Sequence, residues 1–133
     1  MKTFDVQSIE IERPLGQVFD FVANPANLPK WTNAFKSADH EKAELATPAG
    51  AVPIALKTDA KQSAGTVDWF LTFPDGATGA AYSRVTANGD DRAIYTFVLM
   101  APPVPLEALE GALSEQMDIL AKELCALKAV LEI

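Results

Sequence analysis

From Leu106 to Leu131, apolar side chains fall at Leu106, Leu109, Leu113, Met117, Leu120, Leu124, Leu127 and Leu131, in unbroken steps of three or four. That spacing predicts one amphipathic helix of roughly 26 residues, about 39 Å at 1.5 Å per residue. Between Phe35 and Met100 the sequence reads instead as short strands joined by turns. A helix with so long an apolar stripe must bury it, and the surface available is that sheet. Where a sheet curls around such a helix, the hollow between them is a natural ligand site. The architecture is therefore the first functional clue.

The chain has 133 residues, 49 % of them hydrophobic, which is enough for one domain, 1–133, with its own core. Eleven basic against eighteen acidic side chains give a net charge of −7. The lysines are dispersed, and Lys122 and Lys128 alternate with Glu123 and Glu132. That field argues against nucleic acid and anionic membrane as partners. The N-terminal stretch MKTFDVQSIEIERP is charged where a signal peptide is apolar, and no run reaches membrane-spanning length, so a cytoplasmic location is expected. Cys125 is the only cysteine; an internal disulfide and a multi-thiolate zinc site are excluded within one chain, and its small or apolar neighbours predict a packing role. No metal constellation or nucleotide motif is present, so no metal and no cofactor is expected. A homodimer is compatible with the sequence.

Thr3 to Ile11 reads as a first strand, with Ile9 and Ile11 on one face. Pro14 suits the first turn of a helix, and Leu15, Val18, Phe19 and Val22 follow at helical spacing, predicting a short helix over 14–23. Asn24-Pro25 stops it, and residues 26–31 add at most one further turn. Phe35 to Ala43 is a second strand. Residues 44–53, ELATPAGAVP, carry two prolines and a glycine and read as a loop. Strands are expected at Ile54–Gln62, Gly65–Phe73, Thr78–Ala87 and Arg92–Met100, with turns at Pro74–Ala77 and Asn88–Asp91. Residues 101–105, APPVP, lead stiffly into the last helix. The fold class is α+β.

Three stretches resemble the START/birch-pollen-allergen-like superfamily known as SRPBCC, in its polyketide cyclase/dehydrase-type branch. They are IEIERPLGQVFDFVANPANLPKW, GTVDWFLTFPDGATGAAYSRV and YTFVLMAPPVPLEALEGALSEQMDILAKEL. The resemblance implies a helix-grip fold: a curved antiparallel sheet wrapped around the long C-terminal helix, with a short helix after the first strand and a cavity between. It also implies small apolar ligands such as lipids, sterols or polyketides, with catalysis in only some members. It supplies no universal catalytic motif.

Register narrows the pocket. If both turns are four-residue loops, Phe73 pairs with Thr78 and Ala87 with Arg92. Trp69, Tyr82 and Phe97 then form one row across three strands. Val67, Arg84 and Tyr95 form the next, and Leu71, Ala80 and Leu99 another. The other face holds Thr66, Asp68, Thr72, Ser83 and Thr96 and is assigned to solvent. The expected ligand-binding residues are Trp69, Tyr82, Arg84, Tyr95 and Phe97, closed by Gln116 and Met117 of the helix. An inward guanidinium needs a partner, either a ligand carboxylate or a helix acid such as Glu115. The same row is equally readable as ordinary core filling, and a one-residue change in either loop reverses the faces.

Other residues carry less. His40, the only histidine, sits between Asp39 and Glu41 and reads as a solvated strand position, with no G-x-S-x-G elbow for a triad. Asp59 and Asp68 read as solvated strand carboxylates, and GATGAA precedes no helix, so it is not a phosphate loop. The leading functional expectation is binding of a small hydrophobic or aromatic ligand in the sheet–helix cavity. The alternative is a polyketide cyclase/dehydratase-like enzyme working in the same cavity. A third option is a groove for another protein's segment. An enzyme should show an inward ionisable group besides Arg84, whereas a carrier needs only volume and apolar walls.

Overall fold

A computed structural model describes residues 2–47, 50–101 and 106–133, with side chains described except at 47 and 106–111. In chain order the elements are β1 (Phe4–Ile11), α1 (Leu15–Ala23), a 3-10 turn (Pro25–Asn27), α2 (Leu28–Trp31), β2 (Phe35–Ala38), β3 (Lys42–Thr47), β4 (Gly50–Lys61), β5 (Thr66–Thr72), β6 (Thr78–Ala87), β7 (Ala93–Met100) and α3 (Leu106–Leu131). The strands form one curled antiparallel sheet in the order β1-β7-β6-β5-β4-β3-β2. With α3 gripped by that sheet, this is the helix-grip α+β fold. No described helix is long and apolar enough to cross a membrane.

Local chemistry sets the helix limits. Pro14 precedes α1 in extended backbone, and its carbonyl accepts from the N–H groups of Gln17 and Val18. Val18, Phe19 and Val22 form its buried face. The Asn24 side chain then accepts from Ala26 N–H at 3.1 Å, capping the 3-10 turn. Thr32 ends α2 by donating both its N–H and its hydroxyl to the Leu28 carbonyl.

Two strand boundaries differ from expectation. Asp39 Oδ1 accepts from the N–H groups of Glu41 and Lys42, at 2.8 and 2.9 Å. This Asx-type turn divides the expected second strand into β2 and β3. Within the stretch expected as a loop, residues 44–47 and 50–53 belong to β3 and β4, with Leu45 opposite Val52, while 48 and 49 lie outside the described residues. Pro53 is tolerated because it lies beyond Ala55↔Thr72, where β4 has run past β5.

The long helix occupies the span its periodicity predicts. Leu113, Leu120, Leu124, Leu127 and Leu131 are buried with Ile11, Val18, Val22, Trp31, Val85 and Tyr95. Fully burying one such aliphatic side chain is worth about 1.5–3 kcal/mol, so this seam is a principal source of stability. The side chains of Leu106 and Leu109, and the linker at 102–105, lie outside the described residues. Cys125 is exposed, contrary to the packing role expected of it, because it falls on the helix face away from the Leu120/Leu124/Leu127 seam. Polar ties fix the far end of the helix: Glu12 N–H donates to Glu132 Oε2 at 2.8 Å, and Lys128 Nζ donates to the Glu10 carbonyl at 3.0 Å.

The decisive correction lies in β6. Phe73 N–H donates to the Ala77 carbonyl at 2.8 Å, and Asn88 N–H donates to the Arg92 carbonyl at 2.9 Å. Each hairpin therefore has three loop residues rather than four, with Gly76 (φ 88°) and Gly89 (φ 85°) in left-handed backbone. The observed partners are Trp69↔Ala81 and Ala81↔Leu99, not Trp69↔Tyr82 and Tyr82↔Phe97. Two odd shifts cancel, so β5 and β7 keep their assigned faces while β6 alone is reversed. Tyr82 and Arg84 stand on the outer face, and Ser83 turns inward.

Candidate functional site

The concave face is built in rows. Leu99, Ala81, Trp69 and Thr58 make one across β7, β6, β5 and β4; Phe97, Ser83 and Val67 make the next; Tyr95 and Val85 a third. Alanine at position 81 leaves space that a larger residue would fill. Opposite this gap α3 presents Gln116, Ile119, Leu120 and Glu123, spaced as one helical face. Leu28 and Trp31 of α2, the segment Thr32–Ala34 and Phe35 of β2 close the side. Together with Leu71 these residues enclose a cavity of about 240 Å³.

Aromatic rings run along the wall. Trp31 meets Tyr95 edge-on at 6.0 Å between centroids, Tyr95 meets Phe97 at 6.4 Å, and Phe97 stacks on Trp69 at 6.1 Å. Trp31 and Trp69 are only 4 % and 3 % exposed, yet among the described residues neither indole N–H has a hydrogen-bond partner. The Tyr95 hydroxyl and the Thr58 hydroxyl are likewise buried and unpaired. An unmade buried hydrogen bond costs about 1–3 kcal/mol, so four of them in one interior leave a polar capacity that the protein's own groups do not use. Burial pushes the Tyr95 phenol far up, and the negative charge of Glu123 adds to the rise. Ser83 donates to the Val67 carbonyl at 2.6 Å.

Among the described residues of this lining, Glu123 is the only ionisable side chain. Burial raises its carboxyl above the ordinary range, partly offset by the Asn33 N–H, which donates to its Oε2 at 2.7 Å. That bond clasps the Thr32–Ala34 segment to α3 across the mouth. Just outside, a groove continues past Lys30, Lys122 and Ala126.

The residues expected from sequence fall into three groups. Trp69, Phe97 and Gln116 line the cavity. Tyr95 is fully buried behind it, packed between Trp31 and Phe97. Met117 is partly buried one position round the helix, where its carbonyl accepts from the Gln7 amide at 2.9 Å. Tyr82 and Arg84 are excluded, since the odd hairpin loops place them outside; Tyr82 meets Phe70 there, edge-on at 6.1 Å. Arg84 therefore cannot meet Glu115 on the gripped helix or a ligand in the cavity. His40 is exposed in the turn between β2 and β3.

Glu123 and Trp31 were not singled out from sequence. A signal for Glu123 existed: it lies seven residues after Gln116 and four after Ile119, flanking the apolar stripe. Trp31 had none, because nothing local says that the turn after Asn24-Pro25 folds back over the sheet.

No protein-family model and no curated protein matches the sequence. Solved structures do match in shape. A START superfamily protein from Mycobacterium smegmatis superposes with a TM-score of 0.69 at 15 % identity, over 98 % of each chain. The Zhui aromatase/cyclase from Streptomyces sp. R1128 gives 0.67 at 8 %, over 97 % of this chain and 93 % of that one. The di-domain ARO/CYC BexL gives 0.73 at 18 %, over 99 % of this chain and 47 % of its own length. At these identities the likeness is one of fold, and what the chain shares with the START and aromatase/cyclase structures is the helix-grip architecture with its helix laid across a curled sheet.

Proposed function

We propose that this chain binds a small apolar or aromatic molecule in the cavity between the sheet and α3. The observation that carries the reading is a hollow of about 240 Å³ whose walls are mostly Leu, Ile, Phe and Trp, with two unpaired indole donors among them. Apolar walls with a few placed polar groups are what a small-molecule site needs. The volume exceeds the roughly 150 Å³ that accommodates benzene and falls short of the roughly 300 Å³ where drug-sized pockets begin. One or two rings fit. Native mass spectrometry of the purified chain tests this: a small molecule retained under gentle ionisation is expected. A chain that carries nothing, and whose Trp31 and Trp69 emission is unmoved by a panel of one- and two-ring aromatics, overturns it.

One observation favours a second reading, in which a cyclase- or dehydratase-like reaction takes place there. Glu123 is an ionisable group in the cavity wall, held by the Asn33 N–H, and burial raises its carboxyl, the direction a general acid needs. Incubating a retained ligand with the protein and finding water lost, at a rate that Glu123→Gln suppresses, would favour the enzyme over the carrier.

A further inference from the structure

The charge of the wall deepens that binding proposal, on which this inference rests. With Arg84 outside, the described residues of the lining include one charged group, and it is an acid. Glu123 spends one hydrogen bond on Asn33 N–H through Oε2; among the described residues Oε1 has no partner, and Glu123 makes no ion pair. A carboxylate accepts about four hydrogen bonds, so most of its capacity is open. Lys30 and Lys122 lie in the outer groove, exposed to solvent, where screening weakens their reach. The same lining carries the rings of Trp31, Phe35, Trp69 and Phe97, and aromatic π-faces favour cations.

We infer that the cavity selects a one- or two-ring aromatic amine, its ring among Trp31, Trp69 and Phe97 and its protonated nitrogen donating to Glu123. A half-buried carboxylate without a counter-charge is costly, and an ammonium brought in by the ligand removes that cost. An anion of the same shape would instead meet a like charge. A neutral alcohol would gain the hydrogen bond without the charge.

Three isosteric probes separate the outcomes: 2-phenylethylamine, 2-phenylethanol and phenylacetate, titrated into the full chain while the backbone amide and indole N–H resonances are followed by NMR. The amine is expected to bind at least tenfold tighter than the alcohol, with phenylacetate weakest, and the Trp31 and Trp69 indole signals should move. In Glu123→Gln, whose amide oxygen can still accept from Asn33 N–H, the amine's advantage should fall below threefold while the alcohol's affinity holds. The rank order in the unaltered chain is a test independent of that variant. Phenylacetate equal to or better than the amine, or an amine preference that survives Glu123→Gln, overturns the inference and leaves the cavity reading standing. Absence of indole shifts with all three probes removes both.

Discussion

The side-chain amide of Gln7 donates at 2.9 Å to Asp5 Oδ2 and also at 2.9 Å to the carbonyl of Met117, 110 residues away. One residue on β1 thus orders an acid beside it and fastens the middle of α3 to the sheet, at the level where Gln116 and Ile119 face the cavity. Gln7, then Lys2 and the Val6 N–H, hold the Asp5 carboxyl below the usual range against the opposing effect of burial.

Replacing Gln7 with Leu should therefore destabilise the fold by about 1–3 kcal/mol at pH 7, the range for losing hydrogen bonds of which one reaches a charged group. The sign with pH follows from Asp5. A carboxyl lowered by folding contributes stability above its unfolded pKa and loses it as pH falls through the folded value. The deficit of Gln7→Leu should be largest near neutrality and shrink in acid. Urea unfolding at several pH values checks this; a deficit that grows on acidification would contradict it.

Adjacent positions on β6 give a test of register. Ala81 lines the cavity and Tyr82 points away from it. Ala81→Leu should fill part of the space and weaken any cavity ligand at least tenfold. Tyr82→Ala and Arg84→Met should leave affinity within about twofold, and Arg84→Met should change stability by no more than about 0.5 kcal/mol, as surface substitutions do. Calorimetric titration of one ligand against the three variants reads the result. A large loss with Arg84→Met would restore the guanidinium to the site.

Most of the architecture is legible in the sequence because periodicity is a local signal. The Leu106–Leu131 stripe, the Val18/Phe19/Val22 face and the strand segments from β5 to β7 each show their period within a few turns or pairs. The faces of β5 and β7 were legible too, whereas that of β6 was not. Its side depends on whether each hairpin has three loop residues or four, and Pro-Asp-Gly-Ala reads equally well either way until the Phe73–Ala77 hydrogen bond is seen. One residue of loop length decides whether an arginine or a serine faces the concave side of the sheet. Trp31 and Asn33 were hidden for a different reason, since their approach to α3 is a tertiary contact with no sequence period.

Gly65 carries a steric requirement that a substitution can measure. Its φ is +74°, and a Cβ there would lie 2.3 Å from the Val85 carbonyl oxygen, backbone that cannot rotate away. Val85 N–H in turn donates to the Gly65 carbonyl at 2.8 Å, joining the turn after β4 to β6. Gly65→Ala should cost about 2–4 kcal/mol, adding left-handed strain to overpacking. Gly16, where an added Cβ meets nothing within 4 Å, is the control: Gly16→Ala at this exposed position of α1 should be neutral or stabilising by up to about 1 kcal/mol. Thermal melts of the two variants decide, and equal melting points would contradict the close approach.

Glu123 makes a stability prediction that needs no ligand. Burial raises its carboxyl above the ordinary 4.5, with Asn33 N–H opposing. Between the unfolded and the raised folded value, the folded chain holds more protons than the unfolded one, so this group's contribution falls as pH rises through that window and is constant above it. Glu123→Gln has no such titration and keeps an acceptor for Asn33. The variant should thus match the parent chain below the ordinary carboxylate pKa and become progressively more stable than it as pH rises, levelling off above the raised value. Titrations of Asp5, Asp39 and Glu132 occur in both chains and cancel in the difference. Melting temperatures of the pair from pH 3 to 8 give the comparison. A variant whose advantage shrinks with rising pH, or that is less stable at pH 7, would mean that Asn33 and the outer lysines stabilise the ionised carboxylate more than burial penalises it. The cavity would then hold a satisfied anion with little to gain from an incoming ammonium.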